Sequence, residues 1–213
     1  MTSTIPPITL DVLRAALALP NFDVIAARMR MAPSVRPFQR LEREGKAKQS
    51  AVLMLTYPHP PSPDLHLVLI QRAEGHGAHS GQISFPGGRQ EAGETPIETA
   101  LRETDEEVGA NGADILGQFE SLYVPPSDFE IHPVIGYTPL RPEWKPHAAE
   151  VAAILEAPLS VLLDDSLKGH EPFVRGEITF EKHYYLICGQ QVWGATAILL
   201  SELERRLRAV LAE

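Results

Sequence analysis

Residues 85–110, FPGGRQEAGETPIETALRETDEEVGA, constrain the fold of this chain more than any other segment. Thr95 can cap a helix, Pro96 fits the first helical turn, and Glu98 completes a Thr-x-x-Glu capping box. Apolar residues then recur at helical spacing. The sequence therefore predicts a helix over residues 96–108 that follows a glycine-containing loop.

The charged residues of this predicted helix fall on separate faces. At about 100° per residue, Glu103, Glu106 and Glu107 lie side by side, because their spacings are i, i+3 and i+4. Glu98 and Arg102 are four residues apart and can pair on another face. A third stripe is expected to be buried and contains Ile97, Leu101, Thr104 and Val108, with Ala100 beside it. One face of the helix thus carries only carboxylates.

Such a face is unfavourable unless a cation neutralises it. Surface helices usually interleave charges of opposite sign, and this patch also lies near the helix C-terminus, where the macrodipole disfavours anions. A divalent cation would remove both penalties, whereas a solvated charged surface is the alternative interpretation. Because the donors are carboxylate oxygens and no His or Cys lies on this face, Mg²⁺ or Mn²⁺ is favoured over zinc.

The same segment resembles the Nudix box, whose pattern is G-x5-E-x7-R-E-U-x-E-E-x-G-U with U an aliphatic residue. Gly88, Glu94 and the run 102–109 match every fixed Gly, Glu and Arg of that pattern. Thr104 departs at one U position, and Ala110 is a weak match at another. Thr104 belongs to the predicted buried stripe, where a β-branched side chain can still pack, so we expect no effect on the chemistry.

This resemblance implies an α/β fold, the Nudix α/β/α sandwich around a mixed β-sheet. It also implies hydrolysis of a nucleoside diphosphate linked to another moiety, with Mg²⁺ or Mn²⁺ as the cofactor. In such enzymes the final carboxylates of the box hold the metal, often with a main-chain carbonyl of the glycine loop. The implied metal ligands are Glu103 and Glu107 first, then Glu106 and the carbonyl of Gly88.

The resemblance implies catalytic roles as well. Arg102 would orient a box carboxylate, and Glu94 would brace the loop. Glu106 is either a further metal ligand or the general base that takes a proton from the attacking water. Glu150, in a later acidic segment, is a rival for the role of base, although an ordinary charge at the edge of a strand is the alternative reading.

Residues 67–88 resemble a second motif, roughly L-L-T-x-R-S-x3-R-x3-G-x3-F-P-G-G, which is seen in Nudix enzymes that cleave coenzyme A. Arg72, Gly81 and the run 85–88 match it. The chain departs from it with Ile70-Gln71 where Thr-x is common, Ala73 for the Ser and Gly77 for the second Arg. The run 192–197, VWGATA, also looks like these enzymes. The whole resemblance covers residues 35–205.

The second motif implies coenzyme A, or a derivative, as a small-molecule substrate. The implied substrate-binding residues are Arg72, Gly81, Gln82, Phe85 and Gly87. Arg72 can bind phosphate bidentately, and a basic contact with the 3′-phosphate would separate coenzyme A from ADP-ribose. The candidates to replace the arginine missing at Gly77 are His76, His79 and a basic residue of segment 36–48.

Two alternatives remain open at the level of the sequence. Another Nudix specificity, chiefly ADP-ribose, is one, because Pro125-Pro126 falls about where ADP-ribose enzymes of the family carry a proline marker. The other is a non-catalytic binding or regulatory module. The intact set of box residues argues against a decayed enzyme.

The rest of the chain predicts a mixed α/β domain. Helices are predicted at 9–19 and from about 192 to the C-terminus, and a short one opens at Pro158. Strands are predicted at 51–57, 65–72, 115–124, 131–138, 150–156 and 178–188. We expect an N-terminal helical extension at 1–34 and a Nudix hydrolase domain at 35–205, whose C-terminal helix continues to 213.

The composition of the chain limits the binding partners and the cellular compartment that we expect. A net charge of −9 argues against duplex nucleic acid, which requires a basic surface. No apolar run reaches the ~18 residues of a membrane span, and the N-terminus lacks the basic region of a signal peptide. The single cysteine, Cys188, lies in the apolar run YYLIC and is expected to be buried, which fits a reducing, cytoplasmic compartment.

Overall fold

A computed structural model describes residues 5–33, 46–74, 81–175 and 178–212. The chain divides into two compact units. One, here called the terminal unit, comprises Met1–Arg36, Pro58–His66 and Ala157–Glu213; the other, the box unit, comprises Pro37–Tyr57 and Leu67–Glu156. The expected boundary between residues 34 and 35 stays a prediction.

An eight-stranded mixed sheet provides the framework of the box unit. Its strands are β1 (Lys48–Pro58), β2 (Leu65–Arg72), β3 (Ile83–Ser84), β4 (Gly87–Arg89), β5 (Asp114–Gln118), β6 (Leu122–Val124), β7 (Phe129–Tyr137) and β8 (Val151–Pro158). The order is β3-β2-β1-β7-β5, while β4 pairs with β1, β6 with β7 and β8 with β2. Because β1 runs parallel to β7 and antiparallel to β4, the sheet is mixed, which confirms the predicted fold class.

Helix α1 of the box unit spans Pro96–Val108, the predicted bounds. Both hydrogen bonds of the capping box form between Thr95 and Glu98. The helix ends at Gly109, whose φ of 71° lies in the left-handed region that suits glycine. Alternate residues of β1 point toward this helix, as expected for a strand with a period of two. The shared core is Ala51, Leu53, Leu55, Tyr57, Val68, Ile70, Ala100, Val108, Ala110, Val134 and Val151.

The faces of this helix differ in part from the prediction. Thr104 and Val108 are buried as expected, but Ile97 and Leu101 are only partly buried. Glu107, assigned to the carboxylate face, is buried, because β4 packs against that side of the helix. Glu98 accepts hydrogen bonds from Thr95, whereas the guanidinium of Arg102 bonds with other acids.

The terminal unit combines helices with a small antiparallel sheet. Numbered separately as A to C, its α-helices are αA (Leu10–Leu17), αB (Val24–Met29) and αC (Ala195–Leu211), and short 3-10 helices span Leu159–Leu163 and Asp165–Leu167. Strands β9 (Lys168–Arg175), β10 (Ile178–Ile187) and β11 (Gln190–Trp193) form a sheet in the order β11-β10-β9. αC packs against αA and αB, and the buried Arg28 donates to Glu202 at 2.8 Å. Among the described residues, none of the helices has the length and apolar character needed to span a membrane.

Two sequence expectations in this unit are wrong. The helix predicted from about residue 192 begins at Ala195, because residues 190–193 form β11. Cys188 is exposed, since β10 ends one residue earlier and Cys188 lies in the turn that leads to β11. Its φ of 50° and the φ of 75° at Gly189 are those of a tight turn. The apolar run of YYLIC therefore stops at Ile187.

Candidate active site

Strand β4 and helix α1 form a close pair at the centre of the candidate site. The backbone N–H of Gly87 donates to Glu107 Oε2 at 2.8 Å. A Cβ added to Gly88 would meet the carboxylate at the flexible end of Glu103, whereas a Cβ added to Gly87 would clash with the backbone of Ala51 and Val52, so Gly87 is the position that requires glycine. The pairing of Gly88 with Ala51 of β1 fixes the strand in this position. The glycine loop and two of the predicted metal ligands therefore meet.

Arg102 links the acidic residues of the box. Its Nε and Nη2 donate to the two carboxylate oxygens of Glu94 at 2.6 and 3.1 Å. Its Nη1 donates to Glu103 Oε1 at 2.9 Å and to Glu106 Oε2 at 3.1 Å. Nη2 also donates to the carbonyl of Arg89 at 3.2 Å. One guanidinium thus holds the loop and two carboxylates of the helix in a fixed relation.

Glu94 is an ionised residue that several hydrogen bonds hold in place beside Arg102. Besides Arg102, the N–H of Glu91 donates to its Oε2 at 2.9 Å and the hydroxyl of Thr99 donates to the same oxygen at 2.8 Å. The hydrogen bond from Arg102, followed by that from Glu91, lowers the pKa of Glu94 to about 2. Glu94 therefore stays ionised and is hydrogen-bonded to Arg102 and to the loop backbone at Glu91, and its role in bracing the loop stays a prediction.

Glu103 and Glu107 are acids held in a poorly solvated position. Burial raises the pKa of Glu107 to about 7, against the opposing effects of the Gly87 N–H and the Arg72 charge. Burial also raises the pKa of Glu103, against the hydrogen bond from Arg102. The negative charge of Glu150 acts in the same direction on both. A positive charge placed beside these carboxylates would be strongly favoured.

Arg72 connects the upstream motif with the box. Its Nη1 lies 3.3 Å from Glu107 Oε1, and its backbone N–H donates to the carbonyl of Gln82 at 3.0 Å. Gly81 has a φ of 70° beside this position. Phe85 is a core residue with 2% of its surface exposed, so its side chain does not offer a ligand-binding surface here. The other candidates of this loop, Gly75, His76, Gly77, His79 and Ser80, lie outside the described residues, as does most of segment 36–48.

Residues 139–147, here called the strap, were not singled out by the sequence. The N–H of Lys145 donates to the carbonyl of Val108 at 2.8 Å, and the N–H of His147 donates to the carbonyl of Glu107 at 2.9 Å. These bonds satisfy carbonyls that a helix C-terminus leaves without partners. Trp144 packs edge-on against Tyr57 with ring centroids 5.4 Å apart. The prolines around Trp144 signal an extended segment, but they do not reveal what it contacts.

The strap leads directly to Glu150. The carbonyl of Glu150 accepts from the N–H of Ala73 at 2.7 Å, and its half-exposed side chain lies 3.4 Å from Nδ1 of His147. The negative charge of Glu150 acts weakly on both Glu103 and Glu107, as the smallest of the effects on their pKa values. Glu150, the predicted rival for the role of base, therefore acts on the box electrostatically, and its role as base stays a prediction.

The donor set suits a hard divalent cation. The side chains of Glu103, Glu106 and Glu107 offer only oxygen atoms, and Arg102 Nη1 already places one positive group between two of them. Gly88 provides the close approach of main chain to carboxylate that a shared site needs. Within the described ranges, no three His, Cys, Asp or Glu side chains converge as a group arranged to hold a metal, and Glu107 and Glu103 each lie beside an arginine. In donor type and charge, though not in the arrangement of their side chains, the described residues fit the cation.

Comparison with known proteins identifies the family. The model of the NUDIX domain matches residues 50–174, more than half of the chain. The chain belongs to the Nudix family. It is 32% identical over 197 residues to an uncharacterized Nudix hydrolase, NudL, of Pectobacterium atrosepticum, with 88% of this chain and 94% of the relative covered. It is also 30% identical over 154 residues to Nudix hydrolase 3 of Caenorhabditis elegans, with 64% of each covered.

Solved structures agree on the fold. The Nudix hydrolase RenU of M. smegmatis has a TM-score of 0.52 and 17% identity, and the match covers 80% of this chain and 89% of RenU. A C. elegans Ap4A hydrolase has a TM-score of 0.50 and 16% identity, with coverage of 78% and 98%. At such low identity this likeness concerns the fold alone. Family and fold together make this protein a Nudix hydrolase.

Proposed function

We propose that this Nudix hydrolase cleaves the diphosphate bond of coenzyme A or a derivative in a reaction that depends on Mg²⁺ or Mn²⁺. The products are 3′,5′-ADP and 4′-phosphopantetheine. One observation carries hydrolysis at this site: Arg72 of the upstream motif lies 3.3 Å from Glu107 of the Nudix box. The two motifs thus contribute to one site, as a substrate-selecting loop beside a hydrolytic centre requires. The choice of coenzyme A as the substrate rests on the resemblance of residues 67–88 to the upstream motif.

The proposed division of labour follows the contacts. Glu103 and Glu107 provide the carboxylate oxygens for the cation, with the Gly88 carbonyl as a further donor, while Glu106 is either another donor or the base. Arg102 fixes the positions of Glu103 and Glu106 through a single nitrogen. When bound, the cation neutralises the diphosphate and lowers the pKa of a coordinated water.

The proton of the attacking water needs an acceptor with access to solvent. The side chain of Glu106 is 60% exposed, whereas that of Glu107 is 2% exposed, so Glu106 is the proposed base among the box acids. Water oxygen forms a bond with one phosphorus, the bridging P–O bond breaks, and the proton passes to the carboxylate of Glu106. Glu150 is the alternative base, since its negative charge acts on both buried acids.

The position of Arg72 refines its proposed role in substrate binding. A guanidinium beside Glu107 is adjacent to the hydrolytic centre, while the 3′-phosphate of coenzyme A lies on the ribose, away from the bond that is cleaved. This geometry favours the diphosphate over the 3′-phosphate as the partner of Arg72. Recognition of the 3′-phosphate then falls to other basic residues. The cytoplasmic location remains a prediction from the sequence.

A substrate panel tests the proposed specificity. Coenzyme A, dephospho-coenzyme A, ADP-ribose, NADH and diadenosine polyphosphates are each incubated with the protein and Mg²⁺ or Mn²⁺, and the products are separated by chromatography. We expect the highest kcat/KM for coenzyme A or an acylated form, with 3′,5′-ADP released. A preference for ADP-ribose would instead support the alternative suggested by Pro125-Pro126, which lies in the turn between β6 and β7. Hydrolysis of none of them would contradict the proposal.

A further inference from the structure

Glu107 is a buried carboxylate whose two oxygens have different partners. Oε2 accepts the backbone N–H of Gly87 at 2.8 Å, and Oε1 lies 3.3 Å from Arg72 Nη1. The Glu107 side chain is 2% exposed, and that of Arg72 is 35% exposed. The described residues thus supply one cationic group to this acid, and it reaches the acid from solvent.

This ion pair differs from those of Arg102. Arg102 is held by Glu94 at 2.6 and 3.1 Å as well as by two further acids, so it cannot leave without breaking several bonds. The contact of Arg72 with Glu107 is a single longer one. The main chain of Arg72 is fixed by strand pairing, while its side chain is 35% exposed and makes this one contact with Glu107. Yet removal of Arg72 without replacement would leave a buried charge uncompensated, which is strongly unfavourable.

We propose that Arg72 is an exchangeable counter-cation of Glu107. It neutralises Glu107 in the metal-free protein, and it turns toward the phosphate oxygens of the substrate when a divalent cation replaces it at the carboxylate. The inference rests on the proposed function and adds a coupling to it. Arg72 weakens metal binding in the absence of substrate and strengthens substrate binding only in the metal-loaded enzyme. Metal and substrate therefore bind with positive cooperativity, which is reciprocal.

Metal binding without substrate tests this coupling directly. Free Mn²⁺ is measured by electron paramagnetic resonance during titration of the protein with Mn²⁺. Arg72→Gln is expected to bind Mn²⁺ about 5-fold more tightly than the unmodified protein, since a competing cation is removed. Arg72→Lys, which keeps the charge without the planar fork, is expected to fall between them. Arg14→Gln on the exposed surface of αA changes the net charge equally and is expected to leave Mn²⁺ affinity unchanged.

Thermal unfolding gives a second readout that a merely structural arginine would not reproduce. In EDTA, Arg72→Gln is expected to melt at a lower temperature than the unmodified protein, because Glu107 loses its counter-charge. At saturating Mn²⁺ the difference is expected to disappear. A difference of the same size in both conditions would overturn the exchange and assign Arg72 a purely structural role.

The outcomes distinguish a failure of this inference from a failure of the hydrolytic function on which it rests. If the unmodified protein binds Mn²⁺ but neither Arg72→Gln nor Arg72→Lys binds it more tightly, the exchange is wrong and the hydrolytic function stands. If the unmodified protein does not bind Mn²⁺, both are wrong. In a Glu107→Gln background, replacement of Arg72 is expected to have no effect on Mn²⁺ affinity, and a persistent effect would place the competition elsewhere.

Discussion

At the scale of single residues, the planar fork of Arg102 organises the acids of the box. It binds both oxygens of Glu94 and shares Nη1 between Glu103 and Glu106. A lysine could supply the charge but not three donor directions in one plane. The low pKa of Glu94 keeps the support ionised, whereas burial makes Glu103 and Glu107 dependent on nearby positive charge. Support and chemistry are thus divided between acids of different environment.

Loss of the Glu103 charge is expected to abolish most of the activity. We predict that Glu103→Gln lowers kcat/KM on the best substrate by on the order of 10³-fold, because a charged oxygen donor for the cation is removed. Circular dichroism should show an unchanged fold. Asp105→Asn, an exposed neutralisation on the same helix, is the matched control and should retain activity. Near-normal turnover of Glu103→Gln with Mg²⁺ would contradict the metal assignment.

The choice of base is a second prediction at this scale. We expect Glu106→Gln to lower kcat by about 10²- to 10⁴-fold, the usual contribution of a general base. Glu150→Gln is then expected to have a smaller effect, confined to KM or to the pH profile. The comparison uses pH–rate profiles at saturating Mg²⁺. A larger loss in Glu150→Gln, with the acidic limb of the profile removed, would transfer the role of base to Glu150.

At the scale of secondary-structure elements, the C-terminal end of helix α1 depends on particular residues as much as its N-terminal end does. Gly109 adopts a φ of 71°, and the strap satisfies the carbonyls of Glu107 and Val108. A Cβ on Gly109 would lie 2.8 Å from Cβ of Lys145, so the strap occupies the space that a side chain at position 109 would need. The strap then continues to Glu150, and the helix end therefore influences where that acid lies.

Replacement of Gly109 tests this end of the helix. Gly109→Ala is expected to lower the free energy of unfolding by about 1–3 kcal/mol, since a non-glycine residue is strained at this φ and its Cβ displaces the strap. Urea unfolding followed by circular dichroism measures the change. Gly117→Ala in β5, where an added Cβ would meet nothing within 4 Å, should change stability by less than about 1 kcal/mol. Equal effects of the two would show that the strap does not depend on Gly109.

Local signals and long-range pairing differ in how well sequence reveals them. Helix α1 was predicted with its observed bounds, because Thr95, Pro96 and Glu98 act within one turn. Strands β9 and β11 were missed, since they are short or polar and are defined by their pairing with β10. Cys188 was wrongly predicted to be buried, because an apolar run does not show where a strand ends and a turn begins. Local signals such as helix caps can be predicted from the sequence, whereas the pairing of strands that are distant in the sequence cannot.

The candidate site shows the same division. The acids of the box follow from spacing and family pattern, but the burial of Glu107 depends on β4, and its contact with Arg72 joins residues 35 apart. A helical projection cannot tell which carboxylate faces a neighbouring strand. The strap was missed because nothing in its composition specifies the helix carbonyls it contacts.

At the scale of the whole molecule, net charge and stability are linked through acids that folding holds ionised. The chain carries a formal charge of −9. Protonation of an acid at low pH changes the stability of the protein only where the pKa of that acid differs between the folded and the unfolded state. Glu156 of β8 is such an acid. Arg141 donates to its two oxygens at 2.8 and 2.6 Å, and the Tyr57 hydroxyl donates at 2.8 Å. Burial raises the pKa of Glu156, but the hydrogen bonds outweigh burial and lower it from 4.5 to about 2.

A depressed pKa contributes stability that is present above the unfolded value and is lost as pH falls toward the folded one. For Glu156 that window runs from pH 4.5 down to about 2. Because Arg141 is 42% exposed, solvent screening reduces the contribution to about 1–2 kcal/mol near neutral pH. We therefore expect Glu156→Gln to be less stable than the unmodified protein by this amount at pH 6, and the difference to shrink as pH falls from 4.5 toward 2. Urea unfolding at a series of pH values measures it, with Arg141→Gln and the double variant to isolate the pair. A difference that stays constant across this range would mean that Glu156 contributes through packing and neutral hydrogen bonds rather than through its charge.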